Sequence, residues 1–100
     1  MAGGPTVVIG FSGTVTIRHV EETAERLRQA LASSDRIEVD CSALTEVDFS
    51  FIQLIIAAQK SAATAGKTLT MSAPAQGPLL AALTVIGIDD SSRRDFWRIG

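Results

Sequence analysis

The sequence has very few of the residues that build reactive centres. Among its 100 residues there is one cysteine, Cys41, and one histidine, His19. A lone cysteine excludes an internal disulfide and a cysteine-rich metal site. A histidine-based acid–base site needs a carboxylate or a nucleophile beside it, and His19 is followed only by the glutamates of a helix start. We therefore expect no catalytic residue, no metal ligands and no bound cofactor, and we interpret His19 as structural or solvent-exposed.

Excess charge of one sign and long apolar runs are also missing. The formal net charge is −2 and no run of like charges reaches four residues, which excludes the basic face of a nucleic-acid binder. The most apolar run, residues 51–58, contains Gln53 and is far below the roughly 18 residues that a membrane span needs. The start of the chain has no basic segment and is a poor secretion signal. We expect a cytoplasmic protein with no membrane insertion.

What is present is the periodicity of one α/β domain spanning residues 1–100. The patterns predict strands in 6–17, where Gly10 and Gly13 mark a bend or hairpin turn, followed by a helix over 19–34 and a strand over 36–41. A polar link over 42–48 leads to a second helix over 50–65 and a strand over 67–72. A third helix runs from Pro78 to Gly87, and a last strand is predicted in 95–99. This order implies a mixed sheet of four to five strands with about three main helices on one face or both.

Alternation within these segments also indicates what lies inside. In the strand 36–41, Ile37, Val39 and Cys41 fall on one face, so Cys41 is expected to be a small core residue rather than a reactive thiol. Trp97 is the only tryptophan, and we interpret it as the residue that anchors the tail on the core.

The most informative stretch is residues 40–54, where a strand ends, a loop follows and a second helix begins. Asp48 and Ser50 arrive at the helix start, where backbone N–H groups lack partners and a small oxygen-bearing side chain can accept from them. Ser50 followed by Gln53 three residues later is typical of a capping box. On this interpretation the segment needs no function beyond starting the helix.

The same stretch resembles the STAS family, whose name joins sulfate transporters and anti-sigma factor antagonists. The resemblance covers nearly the whole chain and is carried by residues 13–17 (GTVTI), 40–42 (DCS) and 85–88 (VIGI), and by the tetrapeptide 48–51 (DFSF). It implies a STAS-like fold and a regulatory, non-enzymatic module. In signalling members of the family the tetrapeptide is Asp-Ser-Ser-Gly, and a partner kinase phosphorylates the second serine.

Carried over residue by residue, the resemblance makes Ser50 the candidate phosphoacceptor and Asp48 the acidic residue before it. Phe49 and Phe51 depart from the family's serine and glycine. Phe51 is the more serious departure, because glycine at that position gives a kinase close access to the helix start. Two interpretations of Ser50 therefore stand, a phosphorylated switch residue or a purely structural cap.

A further indication comes from the helix after Ser50. At 100° per residue its core face is carried by Phe51, Leu54, Ile55, Ala58 and Ala62, with Gln53 and Lys60 opposite. Ile52 and Ile56 fall on the flank, towards the polar side. Either a neighbouring helix or loop covers these two isoleucines, or they form a small apolar patch beside Ser50 of the kind that docks a partner.

Two functional hypotheses follow. In the first, the chain is a regulatory module that binds an anti-sigma factor or serine kinase and is released when Ser50 is phosphorylated. The residues expected to bind the partner are Asp48, Phe49, Ser50, Phe51, Ile52, Gln53 and Ile56. In the alternative, the chain has the same fold without the switch, as a constitutive subunit of an ABC-type lipid-transport complex or an adaptor in a chemotaxis-like cluster. An enzyme has no support in the residues.

Overall fold

The computed structural model describes residues 6–87 and 95–98. Within these ranges the elements are β1 (Val7–Val15), a 3-10 turn (Ile17–His19), α1 (Val20–Ser33), β2 (Arg36–Val47), α2 (Phe49–Thr64), β3 (Thr68–Met71) and α3 (Gly77–Ile86). The predicted helices lie where the apolar periodicity placed them, within one or two residues at most ends, which is the usual uncertainty of a helix boundary.

The three strands form a parallel sheet in the order β1-β2-β3. Each strand alternates buried and exposed residues, so that one face of the sheet carries the apolar side chains. Helices α1 and α2 connect neighbouring parallel strands and pack against each other. This places the main core between the sheet and these two helices, as expected when successive crossovers share one hand.

The expected hairpin in residues 6–17 is wrong, because β1 is one continuous strand that pairs with β2 along its whole length. The two glycines instead mark the places where the pairing changes register. Between Gly10 and Ser12, and again between Gly13 and Thr14, β2 contains one residue more than β1. These are β-bulges, which bend the strands without reversing them.

The same bulges explain why the predicted polar link over 42–48 is wrong. The structure continues β2 through this segment to Val47, paired with Val15 of β1. Each extra residue reverses which face the following side chains point to. The period-two pattern is therefore lost in the sequence although the ladder continues.

The predicted last strand is also not found where the structure can test it. Residues 95–97 form a helical turn, and the backbone carbonyl of Trp97 accepts a hydrogen bond of 2.9 Å from the N–H of Ala75. Trp97 itself is fully buried, which confirms its role as the tail's anchor. The described residues thus contain three parallel strands rather than a mixed sheet of four to five.

Helix α3 packs on the distal part of β2, which β3 does not reach. Strand β3 pairs only with residues 36–39 of β2. Leu79 and Leu83 are the buried residues of α3, and they extend the core past the end of β3. This arrangement brings α3 alongside α2 and creates the groove described below.

Candidate docking site at the start of helix α2

The start of α2 is fixed by Asp48, which is the N-cap residue. Its Oδ1 accepts the backbone N–H of Ser50 at 3.0 Å. Its Oδ2 accepts the backbone N–H of Ile17 at 2.9 Å, which ties the 3-10 turn to the helix. One carboxylate therefore accepts from two backbone donors, one of which lies 31 residues before Asp48 in sequence.

The expected capping box of Ser50 and Gln53 is wrong, because the helix begins at Phe49 and not after Ser50. Ser50 is the second residue of the helix, and its own N–H is the group that is capped. Asp and Ser are about equally good N-caps, so the sequence offered two starts. The contact with Ile17 favours the earlier one.

Ser50 is half-buried in the surface of the helix start. Within residues 6–87 and 95–98, no group forms a hydrogen bond with its hydroxyl. The hydroxyl therefore does not cap the helix and is not fully buried in the core. Its surroundings are the N-terminal end of a 16-residue helix, where the backbone dipoles favour negative charge.

The two phenylalanines beside Ser50 have opposite positions. Phe51 is buried in the core, and its ring contacts that of Phe11 edge-on at 5.3 Å between centroids. Phe51 therefore does not cover the helix start, and it cannot contribute the exposed contact expected of it. Phe49 is 51% exposed, so of the two departures from the family tetrapeptide it is the one on the protein surface.

The two flanking isoleucines also differ. Ile52 is 0% exposed and belongs to the hydrophobic core, so its side chain is not available as an exposed contact. Ile56 is half-buried and Gln53 is exposed. Between α2 and α3 runs a groove of about 390 Å³, whose lining is formed by Phe49, Ile52, Gln53, Ile56, Ala57, Lys60 and Ile86.

Two contributors to this surface were not found from the sequence. Ile17 is 64% exposed, and its backbone is held at the start of α2 by the hydrogen bond to Asp48. Ile86, at the end of α3, is 38% exposed and forms the far side of the groove. Both lie far from Ser50 in sequence. The available signal was an α3 segment with no charged residue at all.

The residues that could have carried other chemistry have structural roles. The Nδ1 atom of His19 accepts the backbone N–H of Thr16 at 3.1 Å within the cap of the 3-10 turn. Burial, with a smaller contribution from Asp40, raises the pKa of the Cys41 thiol to about 12, so this thiol is not a nucleophile near neutral pH.

Neighbouring surface groups do not form a second site. The Ser42 hydroxyl and backbone N–H both donate to Asp40 and hold the pKa of that carboxyl below its ordinary value. Over the described ranges, no group of three His, Cys, Asp or Glu side chains could hold a metal ion. Nor does that part of the chain contain a helix long and apolar enough to cross a membrane.

Comparison with known proteins finds a matching family model and matching solved structures. The family model described as "Mlab, STAS domain" matches residues 2–96. Among solved structures, the chain is similar to the one titled "Structure of the Anti-Sigma Factor Antagonist SpoIIAA in its Unphosphorylated Form", at a TM-score of 0.63 and 17% identity, covering 94% of this chain and 88% of that one. No curated protein matches the sequence. At this identity the structural match shows the fold, and the family match spans nearly the whole sequence: the chain belongs to the STAS domain family.

Proposed function

We propose that this chain is a non-catalytic regulatory module that binds a protein partner through the start of α2. The observation that carries the proposal is the exposed Phe49 ring beside the Ser50 hydroxyl, at a helix start held in place by Asp48. Aromatic side chains are enriched at the centres of protein interfaces. The fold shared with an anti-sigma factor antagonist supports the same kind of function.

The first form of the proposal includes a phosphorylation switch at Ser50, with an anti-sigma factor that is also a serine kinase as the partner. A phosphate brings about −1.5 to −2 charges and three acceptor oxygens. The N-terminal end of α2 tolerates such a group. A partner seated on a neutral hydroxyl does not, and the Asp48 carboxylate nearby adds to the negative charge that the partner meets. The domain stays folded and releases its partner.

Phosphorylation is tested by incubating the chain with ATP and the serine kinases encoded near it, followed by intact mass spectrometry. We expect one added phosphate, absent in Ser50→Ala and retained in Ser61→Ala, an exposed serine on the same helix. A phosphate that is present on the wild type and on Ser61→Ala, but absent from Ser50→Ala, identifies Ser50 as the acceptor. No phosphate on wild type with a kinase that binds it would eliminate the switch.

The alternative form has no switch, with the chain as a constitutive subunit of an ABC-type lipid-transport complex or an adaptor in a chemotaxis-like cluster. The observation that favours it is Phe49, which places a large ring where the family tetrapeptide has serine. Recovery of a transporter ATPase or a chemotaxis protein with the tagged chain would select this form. Binding should then be weakened by Phe49→Ser and unchanged by Ser50→Ala. A kinase partner should instead lose affinity for Ser50→Glu and fail to phosphorylate Ser50→Ala.

A further inference from the structure

Helix α2 has two apolar faces, of which one is buried in the protein's own core and the other is only partly covered. Phe51, Ile55, Ala58 and Ala62 are buried on the first face, and Ile52 is buried at the base of the second. On the opposite side a second stripe, here called the α2 stripe, follows the spacing i, i+3, i+4, i+7, i+8, i+11 and consists of Phe49, Ile52, Gln53, Ile56, Ala57 and Lys60. With Ile86 of α3 it forms the groove of about 390 Å³.

The charge distribution around this groove is unusual for the chain. Helices α2 and α3 contain a single charged residue between them, Lys60, whereas α1 alone carries Glu21, Glu22 and Glu25 with two arginines. Lys60 is exposed at the end of the α2 stripe and forms no salt bridge with any residue in the described ranges. The groove is thus a largely apolar surface with one unpaired positive charge, that of Lys60, at the C-terminal end of the α2 stripe.

We propose that the groove binds an amphipathic helical segment of the partner protein, with apolar side chains seated between Phe49 and Ile86 and an aspartate or glutamate against Lys60. The inference rests on the proposed protein-binding function and specifies the chemistry of its partner. The α2 stripe spans about 17 Å at 1.5 Å per residue, which is the length of three helical turns. A groove between two helices suits a helix better than a strand, because it offers no unpaired backbone edge.

A second copy of the same chain is a poorer occupant. Of α1, α2 and α3, only α1 carries acidic residues, and its apolar residues Leu27 and Ala30 are already buried in the protein's own core. A second copy therefore has no helix among these three that could present an apolar face and a carboxylate together.

The experiment selects binders from a displayed library of 16-residue helical peptides on the wild-type chain, and then measures their dissociation constants by fluorescence anisotropy. We expect enrichment of two apolar residues followed by Asp or Glu. Lys60→Glu should weaken the best peptide about fivefold to tenfold, through loss of an attraction and gain of a repulsion. Ile86→Ser should weaken it about tenfold through lost apolar burial. The matched control Arg36→Glu makes the same charge change at an exposed site on β2 and should leave binding unchanged.

The outcomes separate the partner chemistry from the docking function. Peptides that bind Lys60→Glu as tightly as wild type, but lose affinity in Phe49→Ser and Ile86→Ser, overturn the acidic-partner inference and leave docking at α2 intact. Peptides indifferent to all three substitutions, or a selection that yields none, overturn both. Self-association of the wild type in sedimentation, abolished by Ile86→Ser, would assign the groove to a second copy instead. Circular dichroism of each variant checks that it is folded.

Discussion

At the residue scale, Asp48 does more than begin a helix. Its two carboxylate oxygens separately accept the N–H groups of Ser50 and Ile17, so the geometry of the proposed docking surface depends on one side chain. Without it the backbone of the exposed Ile17 would no longer be tied to the start of α2. In the proposed function the structural cap is also part of the docking site, and the two roles are separated by comparing substitutions.

We expect Asp48→Ala to lower the free energy of unfolding by about 1–2 kcal/mol, because it removes the N-cap and leaves two backbone donors without their acceptor. Asp48→Asn retains a capping oxygen and should lose less than half as much. Urea unfolding of both variants measures the difference. If Asp48→Ala were as stable as wild type, the contact with Ile17 would have no energetic role.

Cys41 gives a prediction about pH. Burial raises its pKa from 9.0 to about 12, so the folded protein disfavours the thiolate. The unfolded chain ionises first, and the stabilisation present below pH 9 is lost progressively as pH rises from 9 towards 12. Relative to Cys41→Val, the unfolding free energy of wild type should therefore decline over this range.

The same thiol should react with an aromatic disulfide reagent at pH 8 at least about a hundredfold more slowly in the folded protein than in urea. Rapid labelling of the folded chain would contradict the buried position of Cys41.

At the element scale, the long pairing of β1 with β2 depends on two bulges. Gly13 stands at one of them with φ of +68°, a conformation that favours glycine, and nothing lies within 4 Å of where its Cβ would be. Gly10 stands at the other with the same free space and no positive φ. The two glycines therefore share the free space and differ in backbone φ, which makes them a useful pair to compare.

We expect Gly13→Ala to destabilise the protein by about 1 kcal/mol, because a side chain in the left-handed region is strained. Gly10→Ala should be neutral or slightly stabilising, since alanine loses less backbone entropy than glycine in a strand. Thermal unfolding of the two variants side by side measures this. Equal effects would mean that the second bulge does not require a left-handed residue.

At the scale of the whole molecule, the tail closes the structure. Trp97 is fully buried, contacts Phe96 edge-on at 5.0 Å, and its backbone carbonyl binds Ala75. Its indole Nε1 has no hydrogen-bond partner among the described residues, so the ring contributes through packing. In a domain of this size one such side chain is a large part of the net stability.

We expect Trp97→Ala to cost about 3–5 kcal/mol through the cavity it leaves. Trp97→Phe should cost clearly less, because it keeps the aromatic contact and removes the unpaired N–H. Val85→Ala, at a side chain 87% exposed, is the control and should change nothing measurable. Chemical unfolding gives the three values. A small loss in Trp97→Ala would show that the tail is dispensable.

The sequence alone determined the helices, the inward face of the strands and the family. Each is carried by a local pattern, namely the helical period over residues 19–34, the alternation of Ile37 and Val39, and the segment 40–54. Local periodicity indicates which face of an element is buried, so these predictions agree with the folded structure. The burial of Cys41 was predictable for the same reason, whereas that of Trp97 was expected because it is the only tryptophan.

Only the tertiary structure decided the continuous β1–β2 ladder, the true N-cap and the groove. The ladder needs a partner strand to supply the register across its bulges, and the choice of Asp48 over Ser50 depends on the N–H of Ile17. The position of Ile86 at the groove comes from α3, about 30 residues after Ile56 in the chain. Such features arise from contacts between distant segments, and no local pattern in the chain carries them.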